Sequence, residues 1–411
     1  MDDQAAGVDW ISALPDDMLH VILGRIGYAP AVSKTAVLSR RWRHVWTRAK
    51  SLTFKGTDRF LINKSDFAGF VDWVLAHRRN DMESLEICVK HGNVSPDKAN
   101  EWLRYAAQHV VISVDIGIEP SPHVAGPAVV ELPSHVITAS ISLHLPHYRL
   151  RLPAAARYEA LTNLELSGPL DEEGGSTLGD FVASCCPRLR QLDVMGAKGL
   201  RQLVLRSDAL EVLDISTATD LQTLEVVAPN LRVVRVSMCF LFQHVVPAGS
   251  GNDAVAMDDN KLVRIAAPKL EEIRSMDNFR AKPSDLDIHD LTGVRRLTDL
   301  SLRLHGKYHR DMDVGAWLLE KCPGVEHVDV WLEHDARCEL AADEQLVDLT
   351  SSEGNAPFAK LRTMAVRAHF FPKHHFVASM SSLLSRCPNL SSLSVKTSST
   401  EVASRSRQMG N

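Results

Sequence analysis

Three groups of residues in this chain are of types that do chemistry, and their spacing decides what each is able to do. Cys186, Cys322 and Cys387 each stand immediately before a proline, in SCCPRLRQLDV, EKCPGVEHVDV and SRCPNLSSLSV. A metal centre needs its thiolates to converge on one ion. These recur at the same place in copies of one pattern, which sets them on successive tiers, so they read as packed structural cysteines. His369, His374 and His375 gather near Cys387 in sequence, but the spacing fits no zinc signature and reads as a solvated loop. The stretch GGSTLGD at 174–180 lacks the lysine of a phosphate loop and reads as a turn before a helix capped by Ser176 or Thr177. No P-loop, dinucleotide fingerprint, HExxH or GxSxG pattern occurs. No catalytic residue, metal or cofactor is therefore expected, and an enzyme is the least favoured class.

The remaining candidate is SRRWRHVWTRAK at 39–50, where Arg40, Arg41, Arg43, Arg48 and Lys50 interleave with Trp42 and Trp46. Basic and aromatic residues together suit either nucleic acid or a protein partner. Trp42, Val45, Trp46 and Ala49 fall on one helical face and the arginines mostly off it, with Ser39 as N-cap. That is an amphipathic helix rather than a platform for stacked bases. The net charge of −5 also argues against whole-chain attraction to nucleic acid, which is not expected as a partner. Upstream, ISALPDDMLHVILGRIG reads as a helix with Pro15 at its first position and Asp16 and Asp17 in its first turn. Leu19, Ile22, Leu23 and Ile26 form its apolar face, and Gly24 and Gly27 weaken its end. Pro30 opens a second short helix.

In order and spacing, Leu14-Pro15-Asp16-Asp17, then Leu19, Ile22 and Leu23, then Val37-Leu38-Ser39-Arg40-Arg41-Trp42-Arg43 and Trp46 resemble an F-box of the plant type. The resemblance implies docking to the small acidic adaptor of SCF-type cullin–RING ubiquitin ligases. It makes Leu14, Pro15, Leu19, Ile22, Leu38 and Trp42 the expected adaptor contacts. Independently, residues 18–57 hold eight Lys or Arg and no Asp or Glu, which suits an acidic partner.

After this module a pattern L-x-x-L-x-φ recurs, φ being apolar: MESLEI (82–87), LTNLEL (161–166), LRQLDV (189–194), LRQLVL (200–205), LEVLDI (210–215), LQTLEV (221–226) and LRVVRV (231–236). Weaker copies follow as LEEIRS (270–275), LTDLSL (297–302), VEHVDV (325–330), LRTMAV (361–366) and LSSLSV (390–395). Two apolar residues of each unit alternate along a short strand and point into a core, and the first closes the turn before it. No unit buries its own edge, so neighbours must stack. Helices such as TLGDFVASC and GAWLLEKC cover the outer side. The 10–11-residue units of 189–236 leave no room for a helix, so tight turns and a strand-rich convex side are expected there. The units resemble the irregular leucine-rich repeats that follow the F-box in many plant proteins.

The expected fold class is thus α/β: a three-helix F-box followed by a curved leucine-rich-repeat solenoid with a parallel concave sheet. The expected divisions are a flexible 1–8, an F-box at 9–50, a linker with irregular early repeats at 51–160, leucine-rich repeats at 161–396 and a disordered tail at 397–411. Residues 118–134 read as a loop and 247–260 as an exposed insertion. Residues flanking the inward positions should share the concave face: Asp193, Asp214, Glu225, Arg235, Arg303, Asp329, Trp331 and Arg367, acidic early and more basic late. They are the candidate target-binding set, with exposed tryptophan as the expected anchor.

Composition fits this picture. At 411 residues, 45% hydrophobic and 24% charged, the chain is long enough for several domains or one repeat array. No apolar run reaches the ~20 residues that span a bilayer, so no membrane is expected. The opening MDDQAAGVDW is no secretory signal, and seven scattered cysteines are no disulfide framework; cytoplasm or nucleus is expected. The expected function is a substrate receptor holding the adaptor and an unknown protein target. The alternative is a repeat scaffold that binds a partner without recruiting a ligase.

Overall fold

A computed structural model of the chain describes residues 11, 13–56, 64–78, 81–92, 94–120, 128–239, 261–275, 285–303, 314–333, 358–369 and 373–398. The expected flexible start, the insertion at 247–260 and all but the first two residues of the tail lie outside them. The chain divides into two compact units, 1–200 with 205–209, and 201–204 with 210–411.

The first unit opens with helices α1 (Asp16–Ile26) and α2 (Ala29–Lys34), a 3-10 turn (Thr35–Val37), and α3 (Trp42–Val45), which tightens into a 3-10 turn at Trp46–Arg48. Pro15 sits one residue outside α1, at its N-cap, and the two aspartates fill the first turn as the helix dipole favours. Gly27 ends α1 at φ +59°, its N–H donating to the Leu23 carbonyl. The third helix is shorter than its amphipathic spacing suggests. Trp42, Val45, Trp46 and Ala49 nevertheless form its buried face as expected.

Strand β1 (Ser51–Lys55) follows directly, then α4 (Lys64–Ala76), β2 (Met82–Gly92), α5 (Pro96–His109), β3 (Val110–Pro120), β4 (Ala128–Glu131), β5 (Ser140–His144), β6 (Tyr148–Arg151), β7 (Asn163–Ser167), α6 (Leu178–Cys185) and β8 (Gln191–Met195). Strands β1-β2-β3-β5-β7-β8 lie side by side, all parallel. The stretch expected as a loop at 118–134 contains β4, which pairs with β6 in a small second sheet. Helix α5 is capped by Ser95, whose hydroxyl accepts from the Lys98 N–H, and buries Ala99, Trp102, Leu103, Ala106 and Ala107. Helix α6 is capped by Thr177, which accepts from the Asp180 N–H at 3.1 Å.

An aromatic junction joins the helical module to the first rungs of this unit. Trp46 stacks on Trp73 of α4 at 5.5 Å between ring centroids, and Phe70 packs on both Trp73 and Phe54 of β1. Arg78 donates to the Ala49 carbonyl, and the Thr53 N–H to that of Gly27. Burial lowers the Arg78 pKa from its ordinary value.

The second unit includes the first half of β9 (Gln202–Arg206). It continues with β10 (Val212–Ser216), β11 (Thr223–Val227), β12 (Val233–Ser237), β13 (Leu262–Ala266), β14 (Glu272–Arg274), β15 (Asp285–His289), β16 (Arg296–Arg303), α7 (Val314–Lys321), β17 (His327–Glu333), β18 (Thr363–His369), α8 (Lys373–Ser385) and β19 (Ser392–Ser398). Its main sheet is parallel in the order β10-β12-β14-β16-β17-β18-β19. A second parallel sheet runs β9-β11-β13-β15. The strand-rich outer side expected for the 10–11-residue units is this second sheet. Two such units make one coil, and alternate strands go to opposite sheets.

The repeat pattern is the core. Leu210, Leu213 and Ile215, Leu221, Leu224 and Val226, and Leu231, Val234 and Val236 are all buried. Each such leucine or valine contributes ~1.5–3 kcal/mol relative to exposure. In many units the first residue closes a turn: the N–H groups of Leu161, Leu189, Leu221, Leu231, Leu270, Val325 and Leu361 donate to the carbonyl three residues back.

Gly168 and Gly199 separate backbone strain from steric conflict. Both have positive φ, +128° and +86°, but a Cβ at Gly168 would lie 2.3 Å from the Leu145 carbonyl oxygen whereas one at Gly199 meets nothing within 4 Å. Gly199→Ala should cost on the order of 1–2 kcal/mol from the left-handed backbone alone. Gly168→Ala should cost clearly more, read as the larger drop in urea midpoint.

Candidate functional site

The helical module carries a two-faced α1. Leu19 and Leu23 are both 0% exposed and anchor the module, while Met18, Val21, Ile22 and Ile26 face outward. The four-residue apolar face read from the sequence is therefore divided between core and surface, because apolar residues ring this helix on more than one side. Ile11, Val37 and Leu38 add to the exposed set. Of the six expected adaptor contacts, Ile22 (37% exposed) and Leu38 (63% exposed) are on the surface. Pro15 is exposed and Leu14 half-buried.

Leu19 and Trp42 need correction. Trp42 is only 6% exposed, and both side chains serve as core of the module rather than as surface. The reason is geometric: a unit this small has few interior positions, and its largest apolar side chains fill them. Met18, Val21, Ile26 and Val37, outside the expected contact set, are exposed as well. Met18 and Val21 lie off the apolar face read from the sequence, whereas Ile26 lies on it.

Arg41 holds the opening turn. Its guanidinium donates to Asp16 Oδ1 through Nε at 2.7 Å and to the Leu14 carbonyl through an NH2 group. This pins the Leu14-Pro15-Asp16 segment to the start of α3. Exposed ion pairs of this kind contribute ~1 kcal/mol or less, so the role of Arg41 is placement more than stability. Arg40, Arg43 and Arg48 remain exposed around the apolar patch.

The repeated Cys-Pro elements are turns. The carbonyls of Cys186, Cys322 and Cys387 accept the N–H groups of Leu189, Val325 and Leu390, and all three side chains are buried. Ala228 and Ala267 of the Ala-Pro copies take the same place and are buried too. A small apolar side chain is what the position requires. Burial pushes the Cys186 and Cys322 thiols up to about 12 and that of Cys387 to about 11. No group of side chains able to hold a metal occurs among the described residues. His369 ends β18 and His374 and His375 lie in α8, but their side chains lie outside the described residues.

On the sheet of the first unit, register aligns Glu86, Asp115, Ser142, Glu165 and Asp193 on successive strands. Burial raises the Asp115 pKa, with further upward pushes from Glu86 and Glu165. The early rungs are therefore acidic, but Asp193 stands with three carboxylates absent from the expected set.

On the main sheet of the second unit, Asp214 and Arg235 are register partners, 3.4 Å apart as an ion pair. Glu225 is not with them. It lies on β11 in the second sheet, aligned with Arg264 and Asp287. The single-face expectation fails for Glu225 because the 10–11-residue units alternate between two sheets. Arg303 ends β16 in register with Glu333, and its side chain lies outside the described residues.

Asp329, Trp331 and Arg367 do come together, around a β-bulge. Leu297 pairs with Val328 and Leu300 with Val330, so Thr298 and Asp299 oppose Asp329 alone. Asp299 takes φ +53°. The unit at 297–302 is therefore out of step with its sequence reading: Val294, not Leu297, closes the turn, donating to Leu291. Strands β10, β12 and β14 end where a residue of positive φ follows, at Thr217, Met238 and Ser275. In β16 the equivalent residue is Asp299, and the strand resumes beyond it. From β16 onward the sheet gains a row: Ser301, Trp331, Arg367 and Lys396.

In that row Arg367 lies over the Trp331 ring at 4.9 Å and donates to Asp299 Oδ1 at 3.1 Å and to Asp329 Oδ2. Trp331 Nε1 also donates to Asp299 Oδ1, at 3.4 Å. Trp331 is half-buried, with its face toward Arg367 covered.

The thiol environments give a direct check. At pH 8 and under native conditions, iodoacetamide should leave Cys186, Cys322 and Cys387 unmodified and label them on unfolding, as read by peptide mass spectrometry. Raised pKa values leave almost no thiolate, and burial denies access.

No family model matches the chain. Among characterised sequences, it is 23% identical over 407 residues to an Arabidopsis thaliana protein named for F-box, FBD and LRR-repeat regions, covering 95% of this chain and 74% of that one. It is 28% identical over 311 residues to F-box/LRR-repeat protein 13 of Arabidopsis thaliana, covering 72% of this chain and 58% of that one. It is 26% identical over 241 residues to F-box/LRR-repeat protein 25 of the same plant, covering 56% of this chain and 85% of that one. With parallel leucine-rich rungs behind a small helical module, the chain is similar in the order of its parts to these plant proteins named for an F-box and leucine-rich repeats.

Proposed function

We propose that the chain is the substrate-recognition subunit of an SCF-type cullin–RING ubiquitin ligase. The helical module binds the acidic adaptor and the rungs bind the target protein. The observation that carries this is the module's surface. Met18, Val21, Ile22, Ile26, Val37 and Leu38 are exposed apolar residues. They belong to a stretch, 18–57, with eight basic residues and no acidic one. Single exposed apolar residues are ordinary, but seven within 28 positions, counting Ile11, mark an interaction surface. A cationic rim steers an acidic partner and the apolar centre supplies affinity.

No bond is made or broken by this chain in the proposed mechanism. Holding a target beside the conjugating machinery raises its local concentration, and the transfer chemistry belongs to other subunits. The candidate target contacts are Asp193 on the first unit, and Asp214, Arg235, Arg303, Asp329, Trp331 and Arg367 on the main sheet of the second. Glu225 would serve a partner only on the other sheet. The adaptor, the ligase and a protein target are the partners; cytoplasm or nucleus is the proposed location. Among the described residues no helix is long and apolar enough to cross a membrane.

The full chain should co-purify with the adaptor. Ile22→Glu and Leu38→Glu should each weaken that association at least about tenfold while leaving the thermal midpoint in place, because both side chains are on the surface. Leu14→Ala/Pro15→Ala should weaken it as well. Trp42→Ala should instead lower stability by ~3–5 kcal/mol as a core truncation. Failure of the intact, folded chain to bind the adaptor would leave the repeat scaffold without ligase recruitment as the reading.

A further inference from the structure

Ser301 Oγ and Asp329 Oδ1 are buried and have no hydrogen-bond partner among the described residues. Ser301 belongs to the added row of the widened rungs and Asp329 to the row before it. Trp331 is in register with Ser301, and Asp329 stands two residues before it on the same face of β17. Buried polar groups are paired in the great majority of native structures, and leaving one unpaired costs ~1–3 kcal/mol, more for a charge. Two such acceptors beside a half-buried tryptophan form a site short of a donor.

We propose that these widened rungs hold an anchoring pocket for a basic side chain, foremost arginine, on an extended segment of a bound protein. The inference rests on the receptor reading for its assumption of a protein target. Asp329 Oδ1 and Ser301 Oγ accept from the incoming group, and Trp331 supplies the apolar and cation–π wall. Diagonal neighbours on adjacent strands are roughly 7–8 Å apart. A guanidinium, with five N–H donors in a planar fork, spans such a pair better than an ammonium does.

The chain already displays the geometry with one of its own residues. Arg367 lies on the Trp331 ring and bridges Asp299 and Asp329. It satisfies Asp329 Oδ2 and leaves Oδ1 unpaired. Its side chain is 32% exposed, and the proposed guest takes its place to reach the acceptors. Burial raises the Asp329 pKa, with a further upward push from Asp299, against the opposing Arg367 and Lys396 charges. Lys396, exposed on the next rung, makes no bond to Asp329 Oδ1. The bulge at Asp299 creates the pocket: without it β16 would end as β14 does, and the added row would lose its first member.

The test uses the full chain and fluorescein-labelled nonapeptide libraries, each with one fixed central residue: Arg, Lys, Leu or Glu. Binding is read by fluorescence polarisation. The Arg-fixed library should bind at least about tenfold more tightly than the Glu-fixed one, with Lys between. Asp329→Asn should lose about tenfold and Trp331→Phe several-fold. Glu159→Gln, an exposed carboxylate on the other unit that belongs to no candidate contact set, should change nothing, which excludes diffuse attraction to a chain of net charge −5. Arg367→Gln, which removes the internal competitor, should tighten the Arg-fixed library several-fold. Equal binding of the Arg-fixed and Glu-fixed libraries would overturn the proposal. So would full binding by a folded Asp329→Asn chain, or weaker binding by an Arg367→Gln chain of unchanged thermal midpoint. Adaptor co-purification, run on the same preparations, reports separately on the ligase reading: adaptor binding without arginine selectivity sinks only the pocket, and the reverse sinks only the ligase subunit.

Discussion

No rung of this chain can bury its own leucines, and the rest of the structure follows from that. A five-residue strand with two inward apolar side chains offers an edge on each side, and only a neighbour in register covers it. The chain meets this requirement with short parallel strands whose apolar positions align: Leu213 beside Val234, Val234 beside Ile273, Ile273 beside Leu297. Register fixes the turn at each rung's start, which fixes the small buried residue before each proline. The three cysteines and two alanines there are consequences of packing. At β19, the last described strand of the sheet, Leu393 and Val395 are 43% and 42% exposed, although their counterparts one strand inward are buried.

The helical module is tied into the first unit by the same principle of shared burial. Trp46 is packed between its own helix face and Trp73, and β1 runs from the module straight into the parallel sheet. Arg78 crosses the junction with a buried guanidinium, two of whose nitrogens lack partners. A cation in that position is expensive unless its surroundings are fixed, so it reports a well-packed joint. Apolar residues of α1 that the joint does not consume, Met18, Val21, Ile22 and Ile26, stay exposed.

The side-chain contacts of the outward face are densest where regularity breaks. The five-residue rungs put one charged row outward, acidic on the first unit and paired as Asp214 with Arg235 on the second. At Asp299 one extra residue in a left-handed turn lets the strand continue, and the next strands follow to seven residues. That single irregularity brings an aromatic ring, a guanidinium and two carboxylates into contact. Bulges are a common device for re-aiming side chains at sites.

The sequence by itself determined the module order, the composition of the core and the absence of familiar catalytic patterns. It could do so because L-x-x-L-x-φ reports burial directly: an apolar residue at fixed spacing has one energetic reason to be there. It also placed Trp42, Val45, Trp46 and Ala49 on one buried face. It did not separate Leu19, which is interior, from Ile22, which is surface, since both are apolar and three residues apart on a helix apolar on several sides. Nor did it show that Glu225 belongs to a different sheet from Asp214, because strands of either sheet carry the same local pattern. Only the stacking of coils assigns a strand to a sheet, and only the register of β16 against β17 shows that Val294 rather than Leu297 closes the turn. Those choices are made by contacts between residues dozens of positions apart, which no local spacing encodes.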